Sequence, residues 1–197
     1  SQWGNFESKY NCTFLDPGDS LYSVIQREYL KEQTRLYGTD HIYGVDPFNE
    51  VSPPSWDEKT LKAYSKHIYE SLSAVDPQAV WLQMGWLFYN DSEHWTTSRI
   101  DSYLNGVPKG KLILLDYFCD NVEVWKKTNG FYGQPYIWCY LGNFGGNTML
   151  AGNVKSVSKR LNDVYYSGGS NFKGIGSTLE GFDVNEFMYE FVFSKAW

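Results

Sequence analysis

The feature of this sequence that most constrains its fold is a regular alternation of short apolar runs with helical patterns. Five apolar runs, over residues 42–45, 79–88, 111–118, 136–144 and 172–178, are each followed by a segment with helical signals. We predict these helices after a capping box at Ser55 and Glu58, and over 97–104, 121–128, 153–161 and 183–196. Strict alternation of strands and helices predicts a parallel sheet with right-handed crossovers.

A further helix is predicted ahead of the first strand. Asp19 or Ser20 can cap it, and Gly38 ends it. Its apolar positions are Leu21, Val24, Ile25 and, further on, Leu36.

Each apolar run becomes polar or aromatic only at its carboxyl end, as where the run 111–118 reaches Asp116 and Tyr117. This asymmetry is typical of a (β/α) barrel, whose active site is built from the loops that follow the strands. A doubly wound open sheet would also alternate, but no G-x-G-x-x-G follows the first run. The glycines at 142, 145 and 146 have a different spacing and are interpreted as turn glycines. We therefore predict an α/β fold of the (β/α)8 TIM type.

The length of the chain predicts that the barrel is incomplete. A full barrel takes about 250 residues, whereas these 197 residues hold about five strand–helix units. We expect residues 1–197 to supply roughly the C-terminal five units. The missing strands are expected from the remainder of a larger polypeptide, because unpaired strand edges promote aggregation.

Composition excludes several classes of protein. The net charge is −6 and basic residues are scattered, so no nucleic-acid footprint is present. No apolar run approaches the roughly 20 residues of a membrane span. Cys12, Cys119 and Cys139 lack metal-type spacing, and neither a metal nor a cofactor is predicted. The sequons at Asn11 and Asn90 favour a protein of the secretory pathway; no pattern indicates an oligomeric state.

Acidic residues near the strand ends point to a reaction class. The stretch 41–54 ends its strand near Glu50, and the last run delivers Glu180. If the strand ends share one rim, these two carboxylates meet across the barrel mouth, as glycoside hydrolysis requires. Aromatic residues form 18% of the chain, and such rings serve either the core or sugar stacking. Asp116 and Glu186 remain alternatives by spacing alone, although Glu186 suits the first turn of the final helix.

Four phrases identify a family resemblance: YGTDHIYGVDPFNE, AVWLQMGWLF, PYIWCYLGNFGGN and TLEGFDVNEFMYE. Together they resemble the lysosomal α-N-acetylglucosaminidases, family 89 of the glycoside hydrolases, over nearly the whole chain. The resemblance implies a barrel catalytic domain flanked by a small N-terminal domain and a helical C-terminal domain. Neither flanking domain is in this chain.

The resemblance also implies residue roles. Glu50 matches the general acid/base, Glu180 the nucleophile, and Trp86 a residue that lines the sugar pocket. The family has proline before the nucleophile, where this chain has Leu179, and a second cysteine near Cys12 that this chain lacks. Five further residues are predicted to bind substrate: Asn49 at the 2-substituent of the sugar, Trp138 as a pocket wall, and Tyr117, Asn143 and Trp3.

The reaction expected from the resemblance is removal of a terminal, non-reducing α-linked N-acetylglucosamine, as at the end of heparan sulfate. In an α-linked glucosaminide the 2-acetamido group is cis to the leaving group and cannot attack from behind, so the enzyme must supply its own nucleophile or a water. For retention, the carboxyl groups should stand about 5–5.5 Å apart. A barrel glycosidase of other sugar specificity and a non-catalytic carbohydrate-binding barrel remain alternatives. We expect the isolated chain to be inactive.

Overall fold

The computed structural model describes residues 6–11, 13–145, 147–148, 153–181 and 184–196. The helices are α1 (Ser20–Tyr37), α2 (Glu58–Ser73), α3 (Trp86–Asn90), α4 (Thr97–Leu104), α5 (Val124–Lys127), α6 (Val154–Ser167) and α7 (Glu186–Phe193). The strands are β1 (Ile42–Gly44), β2 (Val80–Met84), β3 (Leu112–Asp116), β4 (Tyr136–Tyr140), β5 (Asn143–Phe144), β6 (Asn147–Thr148) and β7 (Phe172–Ser177). In the part of the chain so described, no helix is both long and apolar enough to cross a membrane.

Five strands form one sheet in the order β1-β2-β3-β4-β7. Every neighbouring pair in it is parallel, with helices in the connections, which confirms the predicted alternation. β5 and β6 form a separate antiparallel hairpin between β4 and α6.

The two faces of the sheet have different surroundings. Side chains alternate between faces along a strand, and on β2 and β3 every second residue is buried. The buried set includes Trp81, whose ring contacts that of Tyr103 on α4, so this face carries the helices. The opposite face would line the interior of a closed barrel. It is partly open here, with Ile42 of β1 45% exposed.

The first helix forms as predicted, with its four apolar positions exposed in this structure. Asp19 caps α1 by accepting a hydrogen bond from the Leu21 N–H at 2.8 Å, and Gly38 follows the helix at a φ of 76°. Leu30 is the buried residue of α1. The four apolar positions of the predicted helix are exposed: Leu21 54%, Val24 41%, Ile25 53% and Leu36 53%. The pattern therefore predicted the helix, although none of these four side chains is buried among the described residues.

The start of α2 also differs from its prediction. Asp57, not Ser55, is the N-cap, and its carboxylate accepts hydrogen bonds from the Thr60 N–H and hydroxyl, both at 2.9 Å. Ser55 instead accepts from the Asp57 N–H, one step before the helix. The predicted capping box was therefore wrong, because Asp57 directly precedes the helix and its carboxylate takes the N-cap position.

Two predicted strands are shorter than their apolar runs. The run 79–88 ends as a strand at Met84, because the Gly85 N–H turns to donate to the Leu115 carbonyl at 2.7 Å. A Cβ at Gly85 would lie 2.8 Å from that carbonyl oxygen, so the close approach requires glycine. The chain then continues as α3. The run 136–144 divides at Gly142, whose φ is 70°; Gly145 also has positive φ, as turn glycines do, whereas Gly146 lies outside the described residues.

Candidate active site

The strands that precede Glu50 and Glu180 are the two outer strands of the sheet, β1 and β7. In an eight-stranded barrel, the first and fifth of five consecutive strands lie half a turn apart. Loops that follow these two strands consequently face each other across the barrel mouth. The opposed placement of the two glutamates therefore stays a prediction for the complete eight-stranded barrel.

Glu50 borders a small, mainly polar cavity of about 230 Å³. Residues 48–52 line one side of it, and Leu87, Asn90 and Trp95 come from α3 and the loop beyond. Asn49 lines the same cavity, and its Oδ1 is buried without a hydrogen-bond partner among the described residues. The cavity therefore combines an acid with an unused amide acceptor.

Aromatic packing holds the loop that carries Glu50. Phe48 is 2% exposed, and its ring lies 5.9 Å from Tyr64 and 6.4 Å from Tyr103. Further along the loop, Trp56 stacks on His94 with ring centroids 5.1 Å apart. These contacts join the loop after β1 to the loop after α3, so both walls of the Glu50 cavity are fixed relative to each other.

Glu180 is held by hydrogen bonds from other strand ends. Its Oε1 accepts from the Tyr117 hydroxyl at 3.2 Å, and its Oε2 accepts from the Gly145 N–H at 2.8 Å. The backbone N–H of Glu180 donates to Asn143 Oδ1 at 3.0 Å. The Tyr117 ring in turn contacts Trp86, with centroids 5.4 Å apart. Four predicted site residues, Glu180, Tyr117, Asn143 and Trp86, therefore lie in one connected cluster.

The predicted substrate residue Trp138 does not join this cluster. Trp138 was predicted to wall the sugar pocket, but its side chain is 0% exposed and donates to the Glu123 carboxylate at 3.2 Å. Trp138 is paired with Asp116 of β3, and it lies on the helix-facing side of the sheet. The prediction was wrong because neighbouring residues of a strand point to opposite faces, and Trp138 belongs to the face away from the barrel interior. Trp3 lies outside the described residues.

The other acidic residues near strand ends have structural roles. Asp116 is fully buried and accepts hydrogen bonds from the Val124 and Trp125 N–H groups at the start of α5. Burial raises the pKa of Asp116 to about 7, against the opposing effect of these donors. Glu186 lies in the first turn of α7, as predicted.

Sequence reasoning missed that the carboxylate of Asp46, two residues beyond β1, is buried. Both of its carboxylate oxygens are buried with no hydrogen-bond partner in the described part of the chain. Burial raises the pKa of Asp46 to about 6. The signal available in the sequence was alternation, since Asp46 continues the inner face of Ile42 and Gly44.

The remaining sequence features to be placed are the two sequons, the possible metal ligands and the cysteines. Asn90 lines the Glu50 cavity, whereas Asn11 is exposed near the start of the chain. Within the described ranges, no three His, Cys, Asp or Glu side chains are grouped so that they could hold a metal ion. Cys119 and Cys139 are buried free thiols, and Cys12 is not among the described residues.

A parallel sheet with helical crossovers and glutamates beyond its outer strands defines a segment of a (β/α) barrel. The chain belongs to the family of α-N-acetylglucosaminidase TIM-barrel domains, whose model matches residues 1–197. It is 40% identical over 196 residues to human α-N-acetylglucosaminidase, a match that covers 99% of this chain and 26% of the human protein. The chain thus spans about a quarter of the length of that relative.

Solved structures support the fold. A family 89 glycoside hydrolase from Clostridium perfringens, in complex with 2-acetamido-1,2-dideoxynojirimycin, matches with a TM-score of 0.74 at 22% identity, over 94% of this chain and 20% of that one. The same TM-score is obtained with its complex with PUGNAc, at 24% identity and equal coverage. The predicted barrel fold and the family resemblance are confirmed.

Proposed function

We propose that this chain carries the acid/base and the nucleophile of a retaining exo-glycosidase that removes terminal, non-reducing α-linked N-acetylglucosamine. Membership of the α-N-acetylglucosaminidase family and the 40% identity to the human enzyme support this activity. A related bacterial protein has been solved with its substrate GlcNAc-α-1,4-galactose, which has the same sugar in the same linkage. The end of heparan sulfate is the proposed natural substrate, met in the lysosome or after secretion.

The observation that carries this proposal is that Glu50 and Glu180 follow the two outer strands, β1 and β7, of the five-stranded parallel sheet. In an eight-stranded barrel, two strands so related lie half a turn apart. In the first step the Glu180 carboxylate attacks C1 of the sugar. The bond from C1 to the leaving oxygen breaks, and Glu50 gives its proton to that oxygen. The sugar is then joined to Glu180 as an ester, and Glu50 is a carboxylate.

In the second step Glu50 acts as the base. It takes a proton from water, the water oxygen bonds to C1, and the ester bond to Glu180 breaks. Both glutamates return to their starting forms, and two inversions leave the product with the α configuration. For this mechanism the carboxyl groups stand about 5–5.5 Å apart in the complete barrel.

The need for an enzymatic nucleophile follows from stereochemistry. In an α-linked glucosaminide the 2-acetamido oxygen lies on the same side as the leaving group, so it cannot displace that group from behind. Asn49 has a different task in this proposal. Its buried Oδ1 has no partner in the described part of the chain, and it accepts the N–H of the substrate's acetamido group. The partly exposed Trp86 provides an apolar face for the sugar ring.

The test is Glu180→Ala in the naturally expressed protein, assayed on a panel of α- and β-linked aryl glycosides. We expect hydrolysis of the α-N-acetylglucosaminide to be nearly abolished, and added azide to restore turnover with the β-glycosyl azide as product. Glu186→Ala is the matched control, because Glu186 is an exposed glutamate six positions along the chain. Activity that survives in Glu180→Ala, or a β-configured first product from the wild type, would refute the assignment.

A further inference from the structure

We propose that Tyr117 is a positioning residue for the nucleophile rather than a ligand of the sugar, and that with the Gly145 N–H it orients the Glu180 carboxylate for attack. This inference rests on the proposed function, because it assigns Tyr117 a task only if Glu180 is the nucleophile. It replaces the substrate-binding role that the sequence predicts for Tyr117.

The first argument is that each oxygen of Glu180 has its own donor. The Tyr117 hydroxyl reaches Oε1 at 3.2 Å from the end of β3, and the Gly145 N–H reaches Oε2 at 2.8 Å from the β5–β6 turn. Two donors from two loops fix both the position and the rotation of a carboxylate plane. One oxygen then has a fixed direction of approach to C1, as a near-attack geometry requires.

The second argument is that Tyr117 is itself held in place. Thr178 Oγ1 donates to the Tyr117 carbonyl at 2.6 Å, and the Thr178 N–H donates to the Tyr140 carbonyl at 3.1 Å. Thr178 lies two residues before Glu180, so the segment that carries the glutamate also holds the backbone of Tyr117 in place. On its other side the Tyr117 ring contacts Trp86. A donor tethered to the segment it orients can act as a rigid support.

The third argument is chemical. Burial, reinforced by the charge of Glu180, raises the pKa of the Tyr117 phenol well above its ordinary value, so this hydroxyl remains a proton donor at working pH. A hydrogen bond to a carboxylate is stronger than one to a neutral oxygen such as that of an ester. Tyr117 therefore favours the ionised nucleophile, both before attack and when the glycosyl ester is cleaved.

The experiment compares Tyr117→Phe with the wild type in the naturally expressed protein. We expect kcat to fall about tenfold, as for a lost hydrogen bond to a charged group, with KM changed by less than about twofold. The acidic limb of the pH–rate profile should move to higher pH, because the ionised nucleophile has lost a donor. Tyr69→Phe is the matched control: it removes a buried hydroxyl that donates to the Ala79 carbonyl, at the opposite end of the sheet.

A double-variant cycle separates positioning from sugar binding. If Tyr117 acts only through Glu180, adding Tyr117→Phe to Glu180→Ala leaves the azide-rescued rate and its KM for the glycoside unchanged. If Tyr117→Phe lowers the azide-rescued rate by the same factor by which it lowers the wild-type rate, Tyr117 contacts the sugar and the inference is wrong. A Tyr117→Phe variant with wild-type kcat and pH profile would also overturn it. In both cases, an inactive, azide-rescued Glu180→Ala would leave the proposed function standing.

Discussion

Asp116 and Glu180 show how strand alternation assigns similar side chains to different tasks. Asp116 is the last residue of β3 and points towards the helices, where it caps the start of α5. Tyr117, one residue later, belongs to the other face and reaches Glu180. At a strand end, one position in the sequence separates a structural carboxylate from a residue of the cluster around Glu180.

The buried carboxylic acids predict a protein that is more stable in mild acid. Burial raises the pKa of Asp46 to about 6 and that of Asp116 to about 7, above the ordinary value of 3.8. The folded state therefore binds more protons than the unfolded state between about pH 4 and pH 7, and stability falls as pH rises through this window. We expect the Tm to decrease from pH 5 to pH 8, and Asp116→Asn to reduce that decrease by about 4 °C or more, measured by calorimetry.

Asp163 is the matched control for this pH dependence. Its ion pairs with Lys159 and Lys126 lower the pKa of its carboxyl to about 2. The stabilisation from Asp163 is present above about pH 4 and is lost only as pH falls towards 2. Asp163→Asn should therefore leave the change in Tm between pH 5 and pH 8 as it is in the wild type. If the Tm of Asp116→Asn fell between pH 5 and pH 8 by as much as the wild-type Tm does, the assignment of this pH dependence to Asp116 would be wrong.

At the scale of elements, Glu123 joins three parts of the fold. Its carboxylate, at 2% side-chain exposure, accepts from the indole N–H groups of Trp125 and Trp138 at 3.1 and 3.2 Å. It also pairs with Arg160 of α6 at 2.9 Å and with Lys126 at 2.8 Å. The start of α5, the middle of β4 and the outer helix α6 thus share one acceptor.

Glu123→Ala should lower the free energy of unfolding by about 1–3 kcal/mol, because it leaves two buried N–H donors, those of Trp125 and Trp138, without their acceptor. Chemical denaturation of the naturally expressed protein measures this loss. Glu28→Ala is the control, since Glu28 on α1 pairs with Lys31 and Arg27 in the open. Its denaturation midpoint should match the wild type. Equal midpoints for both variants would show that the Glu123 cluster is not stabilising.

Local patterns predicted the elements better than they predicted the contacts between them. The helix over 97–104 was predicted with the limits that α4 has, because its cap and periodicity are both local signals. The apolar run through Trp86 could not reveal α3, since the turn depends on Gly85 meeting the carbonyl of a neighbouring strand. Trp138 failed for a related reason. The face of β4 on which Trp138 lies depends on the register of its pairing with β3. The residues next to Trp138 in the sequence do not reveal that register.

Glu50 and Glu180 could be proposed because their position after strands follows from element order, and the family phrases then chose among the candidates. Their surroundings were harder to predict. The donation from the Gly145 N–H to Glu180 links positions 35 apart in the sequence, and backbone donors have no side-chain signature. The partners of Glu123 are equally remote, since Arg160 lies 37 positions away.

At the scale of the whole molecule, the inner face of the sheet lacks a cover among the described residues. Ile42 on β1 is 45% exposed, and the inner positions of β2 and β3 are partly open. On α1 the apolar residues Leu21 and Ile25 are also exposed, at 54% and 53%. These surfaces are the ones that further strands and helices of an eight-unit barrel would bury.

The isolated 197-residue chain should therefore bind a hydrophobic dye such as ANS and show no measurable hydrolysis of an aryl α-N-acetylglucosaminide. Ile42→Lys sharpens this prediction. In the isolated chain it should leave the unfolding midpoint unchanged and reduce dye binding, whereas in the naturally expressed protein it should destabilise, because an unpaired charge would be buried. Tyr166→Lys on α6, at an 81% exposed position, is the control and should be neutral in both. Hydrolysis by the isolated chain would refute this prediction.

The separate supports of the two glutamates have a consequence for how enzymes of this type can diverge. The walls of the Glu50 cavity come from residues 48–52 and the segment around Asn90 and Trp95, whereas Glu180 depends on Tyr117, Asn143 and Gly145. Within the described part of the chain, the lining of the Glu50 cavity and the hydrogen-bond partners of Glu180 share no residue. The surroundings of the proposed acid/base can therefore change by substitution without altering the residues that hold the proposed nucleophile. The converse also holds, so the two glutamates of the proposed mechanism can be tuned separately.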